Sequence, residues 1–72
     1  MRPIDSTSID SLGYDELTNS LYVRFRDTGD TYAYYLVPRR VYEELSTTTS
    51  PGSYLNQAIK SKYPFAKIAS AA

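Results

Sequence analysis

The sequence predicts an α+β fold in which a three-stranded antiparallel β-meander is followed by two helices packed on one face (β-β-β-α-α). Two stretches of the first half alternate apolar and polar residues with the period of a strand. A short loop that contains Gly29 joins them, as in a hairpin. The second half carries two apolar stripes at helical spacing, each introduced by a proline. The 72 residues form a single domain, 1–72, whose ordered core we expect at about residues 8–68.

The first two predicted strands span residues 8–14 and 21–26. Ile9 and Leu12 lie three positions apart, which breaks strict alternation and predicts a bulge in the first strand. In the second strand Leu21, Val23 and Phe25 share one face, and Tyr22, Arg24 and Arg26 share the other.

The third predicted strand spans residues 31–37 and holds three of the eight tyrosines. Alternation places Tyr32, Tyr34 and Leu36 on the core face and Ala33, Tyr35 and Val37 on the outer face. Tyr32 and Tyr34 could serve as a stacking platform for bases. We favour a role in the core for both, because their face is the partner of the apolar face of the second strand.

The two helices are predicted over residues 38–45 and 51–62. Val41, Tyr42 and Leu45 form the apolar side of the first helix, and Tyr54, Leu55, Ala58 and Ile59 form that of the second. Pro64 ends the second helix, since the residue before a proline avoids the α region. We expect residues 1–7 to be frayed, Phe65 and Ile68 to pin the tail to the core, and residues 69–72 to be loose.

The composition excludes several classes of site. The chain has no cysteine and no histidine, so we expect no disulfide, no zinc or transition-metal site, no cofactor and no catalytic residue. Asp27-Thr28-Gly29 matches the aspartic-protease triplet, but its place between charged residues is typical of a hairpin turn. No apolar run has a membrane-spanning length and no signal peptide precedes the domain, so we expect a cytoplasmic protein that is not an enzyme.

The charges are balanced overall but unevenly placed. Residues 1–37 hold three basic and six acidic side chains, a net charge of −3, and residues 38–72 hold five basic and two acidic ones, a net charge of +3. The helical half can therefore present a basic surface on a neutral protein.

Two groups of side chains are candidates for binding. The outer sheet face would carry Tyr22, Arg24, Arg26 and Tyr35, an arrangement similar to the aromatic sheets that read single-stranded RNA. An ordinary solvated face and a dimer contact remain the alternatives. A basic edge would carry Arg39, Arg40, Lys60 and Lys62 and could bind phosphate, although such clusters are commonly just solvated.

An ordered set of short motifs runs through most of the chain. The set comprises Gly13-Tyr14-Asp15, Leu21-x-Val23-x-Phe25, Tyr32-x-Tyr34, Val37-Pro38-x-x-Val41-Tyr42, Ser50-x-Gly52-x-Tyr54-x-Asn56 and Ile59. Over about residues 8–65 the sequence resembles the KTSC domain, which occurs at the C-terminus of some lysyl-tRNA synthetases and as a free-standing small bacterial or phage protein.

The resemblance implies RNA binding, which is proposed for the family because of its fusion partner. We therefore expect a non-catalytic module that binds RNA of the tRNA kind or another nucleic acid. The alternative is a protein-interaction module or a homodimer that uses the outer sheet face. No membrane or metal partner is expected.

Overall fold

The computed structural model describes residues 1–70, which form one antiparallel sheet and two helices. Five strands follow one another across the sheet in chain order. They are β1 (Arg2–Pro3), β2 (Ile9–Asp15), β3 (Ser20–Phe25), β4 (Thr31–Tyr34) and β5 (Phe65–Ala69). The α+β class is confirmed. The predicted three-stranded meander is present as β2, β3 and β4, and two further strands extend the sheet at its edges.

Both helices lie between β4 and β5 in the chain. Helix α1 spans Arg39–Thr47, and Pro38 occupies the cap position before it with φ −63° and ψ 148°. Helix α2 spans Pro51–Tyr54 and continues without a break as a π-helical turn over Leu55–Ile59. The single α-helix predicted for 51–62 is thus an α-helical turn followed by a π-helical one.

One hydrophobic core joins the sheet to the helices. Its buried members are Ile9, Leu12, Leu21, Val23, Tyr34, Val37, Val41, Leu45, Leu55 and Ile59. The cluster contains the inward face of β2 and β3 and one side of each helix, as the apolar patterns predicted. The helices therefore cover one sheet face, and the other face carries Tyr22 and Arg24 at alternate positions of β3.

The two edge strands were not expected from the sequence. Arg2 and Pro3, predicted to be frayed, pair with Leu12 and Ser11. A proline is tolerated there because it lies in an edge strand, where its missing N–H leaves no ladder bond unmade. At the other edge β5 pairs with β4, and Phe65 lies opposite Tyr34. Of the tail predicted to be loose, Ala69 belongs to β5, and residues 71–72 lie outside the described residues.

Two irregularities interrupt the alternation of inward and outward residues: the bulge in β2 and the end of β4. The register of β2 and β3 shifts between Ile9 and Ser11, which confirms the predicted bulge. The third strand is shorter than predicted, because Leu36 adopts a left-handed conformation with φ 61°. This residue reverses the two faces beyond it: Leu36, predicted to be inside, is 71% exposed, and Val37, predicted to be outside, is fully buried.

Within residues 1–70, no helix has the length and the apolar composition that crossing a membrane requires.

Candidate nucleic-acid interface

The outer sheet face is built around one tyrosine ring. Gly13, Tyr22, Ala33 and Ala66 occupy neighbouring positions on four adjacent strands. Small residues therefore flank Tyr22, and Ala33 is 1% exposed between its neighbours. The half-buried Tyr22 ring and the Met1 side chain, whose Cγ would lie 3.3 Å from a Cβ at Gly13, therefore cover the centre of this face.

Two further side chains share this face with Tyr22. Arg24 lies two residues along β3, between Ser11 and Thr31 of the adjacent strands. Its side chain is exposed and makes no ion pair within residues 1–70. Tyr35 follows β4 and is 37% exposed. Its backbone N–H donates to the Pro64 carbonyl at 2.8 Å, which extends the pairing between β4 and β5 by one residue.

The two rings are diagonal neighbours. Tyr22 lies opposite Ala33, and Tyr35 is two positions beyond Ala33. Such diagonal positions are about 7 Å apart, which is within reach of aromatic side chains. Tyr22, Arg24 and Tyr35 therefore share one sheet face, with Tyr22 between the other two.

Arg26, the fourth residue predicted for this face, instead binds groups within the fold. Its guanidinium donates to the Ser6 carbonyl at 2.9 Å and to the Ile4 and Ile9 carbonyls at 3.4 Å. It also pairs with Asp10 at 3.4 Å. Because these bonds occupy its donors, Arg26 holds the N-terminal segment against the bulge in β2.

The four residues of the predicted basic edge do not come together. Arg39 pairs with Glu16 in the turn between β2 and β3 and with Glu43 on its own helix. Lys60 lies at the other end of β3, where its Nζ stands 5.1 Å from the centre of the Phe25 ring. The length of β3, roughly 17 Å, separates the two. Arg40 and Lys62 are exposed without an ion pair in the described part of the chain.

An aromatic row lies on the helix side of the sheet; the sequence predicted Phe25, Tyr32 and Tyr34 for this face, but not that they form a continuous row with Phe65. It consists of Phe25, Tyr32, Phe65 and Tyr34 in succession. The ring centres are 5.6 Å apart for Phe25 and Tyr32, 6.0 Å for Tyr32 and Phe65, and 5.8 Å for Tyr34 and Phe65. Phe65 is 56% exposed at the edge of the row. The sequence signal for this row was the Pro64-Phe65 step, but Phe65 reaches Tyr34 only through the unexpected strand β5.

Two tyrosines have perturbed acidity. Burial, together with the neighbouring Tyr32 phenol, raises the pKa of Tyr34 above its ordinary value. The hydroxyl of Tyr54 donates to Glu44 Oε2 at 2.5 Å, and this bond, with desolvation, raises the pKa of Tyr54 to about 12. Both phenols are therefore neutral donors at ordinary pH. Within residues 1–70, no group of three acidic side chains is arranged to hold a metal ion.

A family model and a solved structure both match this chain. The model of the KTSC domain matches residues 5–63. The chain belongs to the KTSC domain family. The crystal structure of a KTSC domain protein from Yersinia pestis superposes with a TM-score of 0.89 at 35% identity, over 94% of each chain.

Curated relatives place KTSC sequences in two contexts. A protein of Tsukamurella paurometabola is 36% identical over 63 residues, which cover 88% of this chain and 92% of the relative. A lysine–tRNA ligase of Trichormus variabilis is 36% identical over 55 residues, which cover 76% of this chain. The matched segment makes up only 10% of that ligase, so a KTSC-like segment forms a small part of the larger protein.

Proposed function

We propose that this KTSC domain is a non-catalytic module that binds single-stranded RNA on its outer sheet face. The observation that carries the proposal is that Tyr22, Tyr35 and Arg24, which makes no ion pair within residues 1–70, share one sheet face beside the small residues Gly13, Ala33 and Ala66. Two rings at diagonal positions suit two successive bases, and Arg24, on the side of Tyr22 away from Tyr35, suits a phosphate that flanks them. The lysine–tRNA ligase relative supports RNA as the partner, because the name of that protein identifies tRNA as a molecule it acts on.

The charge of the protein sets the expected strength of binding. With a net charge of zero, few phosphates are neutralised, so the affinity is modest. If Arg24 contacts one phosphate, log K should fall with log salt concentration with a slope of about −0.7 for single-stranded RNA. Stacking contributes about 1–3 kcal/mol per base, so removing one ring should weaken binding by about fivefold to a hundredfold.

The test is a titration of the domain with short single-stranded RNA at low salt, followed by NMR and by fluorescence anisotropy. Tyr22→Ala and Arg24→Gln should weaken binding, and the amide signals of β3 and of Tyr35 should shift. Arg40→Gln is the matched control, since Arg40 is also exposed and makes no ion pair within residues 1–70, but lies on α1. Equal loss in both arginine variants would move RNA binding away from the sheet, and unshifted β3 signals would overturn the proposal.

A second candidate function is self-association through the same face. Met1, whose side chain lies over Gly13 beside Tyr22, is 60% exposed and would add apolar surface to such a contact. Aromatic residues and arginine are also enriched at the centres of protein interfaces. Sedimentation of the domain without RNA separates the two functions: a dimer that Tyr35→Ala dissociates, with RNA affinity unchanged, would favour self-association.

A further inference from the structure

A groove lies on the helix side of the sheet, away from the outer face. It has a volume of about 350 Å³ and opens between the hairpin loop after β3 and the π-helical turn. Phe25, Tyr32, Leu55, Asn56, Ser8 and Lys60 are among the residues that line it. It adjoins a second, hydroxyl-rich groove of about 540 Å³, with which it shares Ser8, Gly52 and Asn56. These volumes are in the range of small-ligand sites.

Three departures from regular backbone border this one groove. The π-helical turn supplies Leu55 and Asn56. The bulge of β2 starts at Ile9, next to Ser8. The register of β4 and β5 shifts at Tyr32. Both π-turns and bulges are costly irregularities that occur preferentially at functional sites, where they redirect side chains.

The walls of the groove combine aromatic surface with an uncommitted amide. Phe25 and Tyr32 meet edge to face at an angle of 83°, and Leu55 closes the floor at 1% exposure. The side-chain amide of Asn56 makes no hydrogen bond within residues 1–70, so it offers a donor and an acceptor together. A ring that stacks on this wall can place its own donor and acceptor against Asn56.

The charges around the groove disfavour an anionic ligand. Asp27 and Asp30 lie in its wall, and Lys60 is the one basic residue that lines it. Asp30 pairs with Lys67 at 3.2 Å. The Lys60 ammonium already rests over the Phe25 ring. Exposed cation–π contacts are weak, so a stacking ligand can displace the ammonium readily.

We propose that this groove binds a neutral planar heterocycle of the nucleobase kind, stacked on the Phe25 ring in place of the Lys60 ammonium, flanked by Tyr32 and hydrogen-bonded by Asn56. Such a ring comes either from a free nucleoside or from an unpaired base of RNA. The site does not rest on the function proposed for the outer sheet face, because the two share no residue.

The test is an NMR titration of the whole domain with adenosine, guanosine, cytidine and uridine at low-millimolar concentrations. At least one nucleoside should shift the Asn56 side-chain amide and the Tyr32 backbone amide. Asn56→Ala should weaken its binding by about threefold to tenfold, the worth of one or two hydrogen bonds. Gln57→Ala is the matched control, since it removes the same type of amide from the adjacent, exposed position. The spectrum of each variant reports its folding directly.

Further titrations distinguish a free nucleoside from an RNA base as the source of the ring, and both from non-specific binding. A short oligouridine that shifts the same signals when free nucleosides do not would assign the ring to RNA, and it supports the proposal. Free ribose that shifts them as strongly as the nucleosides would overturn it, as would equal weakening in the Asn56 and Gln57 variants. The proposal is also overturned if neither the nucleosides nor the oligouridine shift these signals. Arg24→Gln should leave nucleoside binding unchanged, so failure here and failure at the outer face are separately visible.

Discussion

The hydroxyl of Tyr14 connects β2 to the segment that leads into α1, and removing it tests how that junction is held. Tyr14 Oη donates to the Val37 carbonyl at 2.6 Å and lies 3.2 Å from Asn19 Oδ1. The Val37 N–H donates to the Asn19 carbonyl at 2.9 Å. Val37 is fully buried, so its carbonyl would lose a partner in Tyr14→Phe where water has little access.

The expected cost of Tyr14→Phe follows from these contacts. An ordinary hydrogen bond contributes about 0.5–1.5 kcal/mol net, and a carbonyl left unsatisfied costs about 1–3 kcal/mol. We therefore expect the free energy of unfolding to fall by about 2 kcal/mol. In a domain of this size that loss lowers the melting temperature by about 8–16 °C.

Tyr42→Phe is the matched control. The rings of Tyr14 and Tyr42 stack at 5.2 Å and 12°, and both substitutions keep that stack. The Tyr42 hydroxyl makes no hydrogen bond within residues 1–70, so its loss should change stability by less than about 0.5 kcal/mol. Urea unfolding of the three proteins, followed by circular dichroism, measures both differences. Equal stability of the two variants would refute the assignment of the junction to the Tyr14 hydroxyl.

Three further predictions concern single features of the fold. Leu36→Asn should raise the free energy of unfolding by about 0.5–1 kcal/mol, because asparagine tolerates the left-handed conformation and the leucine side chain is mostly exposed; an unchanged thermal midpoint would contradict this. The hydrogen bond of Tyr54 stabilises the fold fully below the ordinary phenol pKa near 10, and this stability is lost as the pH rises through about 12. In alkaline unfolding experiments the wild type should therefore lose more stability than Tyr54→Phe across that interval. Arg26→Met should release the N-terminal segment and speed hydrogen exchange of the Ile4 amide by about tenfold, whereas Arg24→Met should leave that rate unchanged.

Local pattern predicted the central strands and the buried side of each helix. Period-two spacing identified the inward residues of β3, and the spacing of Ile9 and Leu12 located the bulge of β2. Both signals arise from residues that are neighbours in the chain. The same alternation brought Tyr22, Arg24 and Tyr35 to one face, which is why that part of the candidate site was predictable.

Features that depend on distant partners were not predictable. Leu36 takes a conformation that leucine disfavours on its own, and the hydrogen bonds from Tyr14 and to Asn19 fix the adjacent Val37 in place. Strand β5 needs β4, which lies on the far side of both helices in the chain. Arg26 makes its bonds only when the N-terminal segment has returned to the sheet. No short-range pattern records such pairings.

The π-helical turn has a consequence for how the length of this segment can vary. A π-turn holds one residue more than the α-turn it replaces, and each residue of an α-helix advances the chain by about 100° around the axis. A deletion of one residue between Leu55 and Ile59 would therefore shorten this turn to an α-turn and leave the residues after it in nearly the same orientation, with Lys60 still beside Phe25. A deletion in the α-helical turn Pro51–Tyr54 would instead rotate everything after it by about 100° and turn Lys60 away from Phe25. The π-helical turn is therefore the part of this helix that best tolerates the loss of one residue.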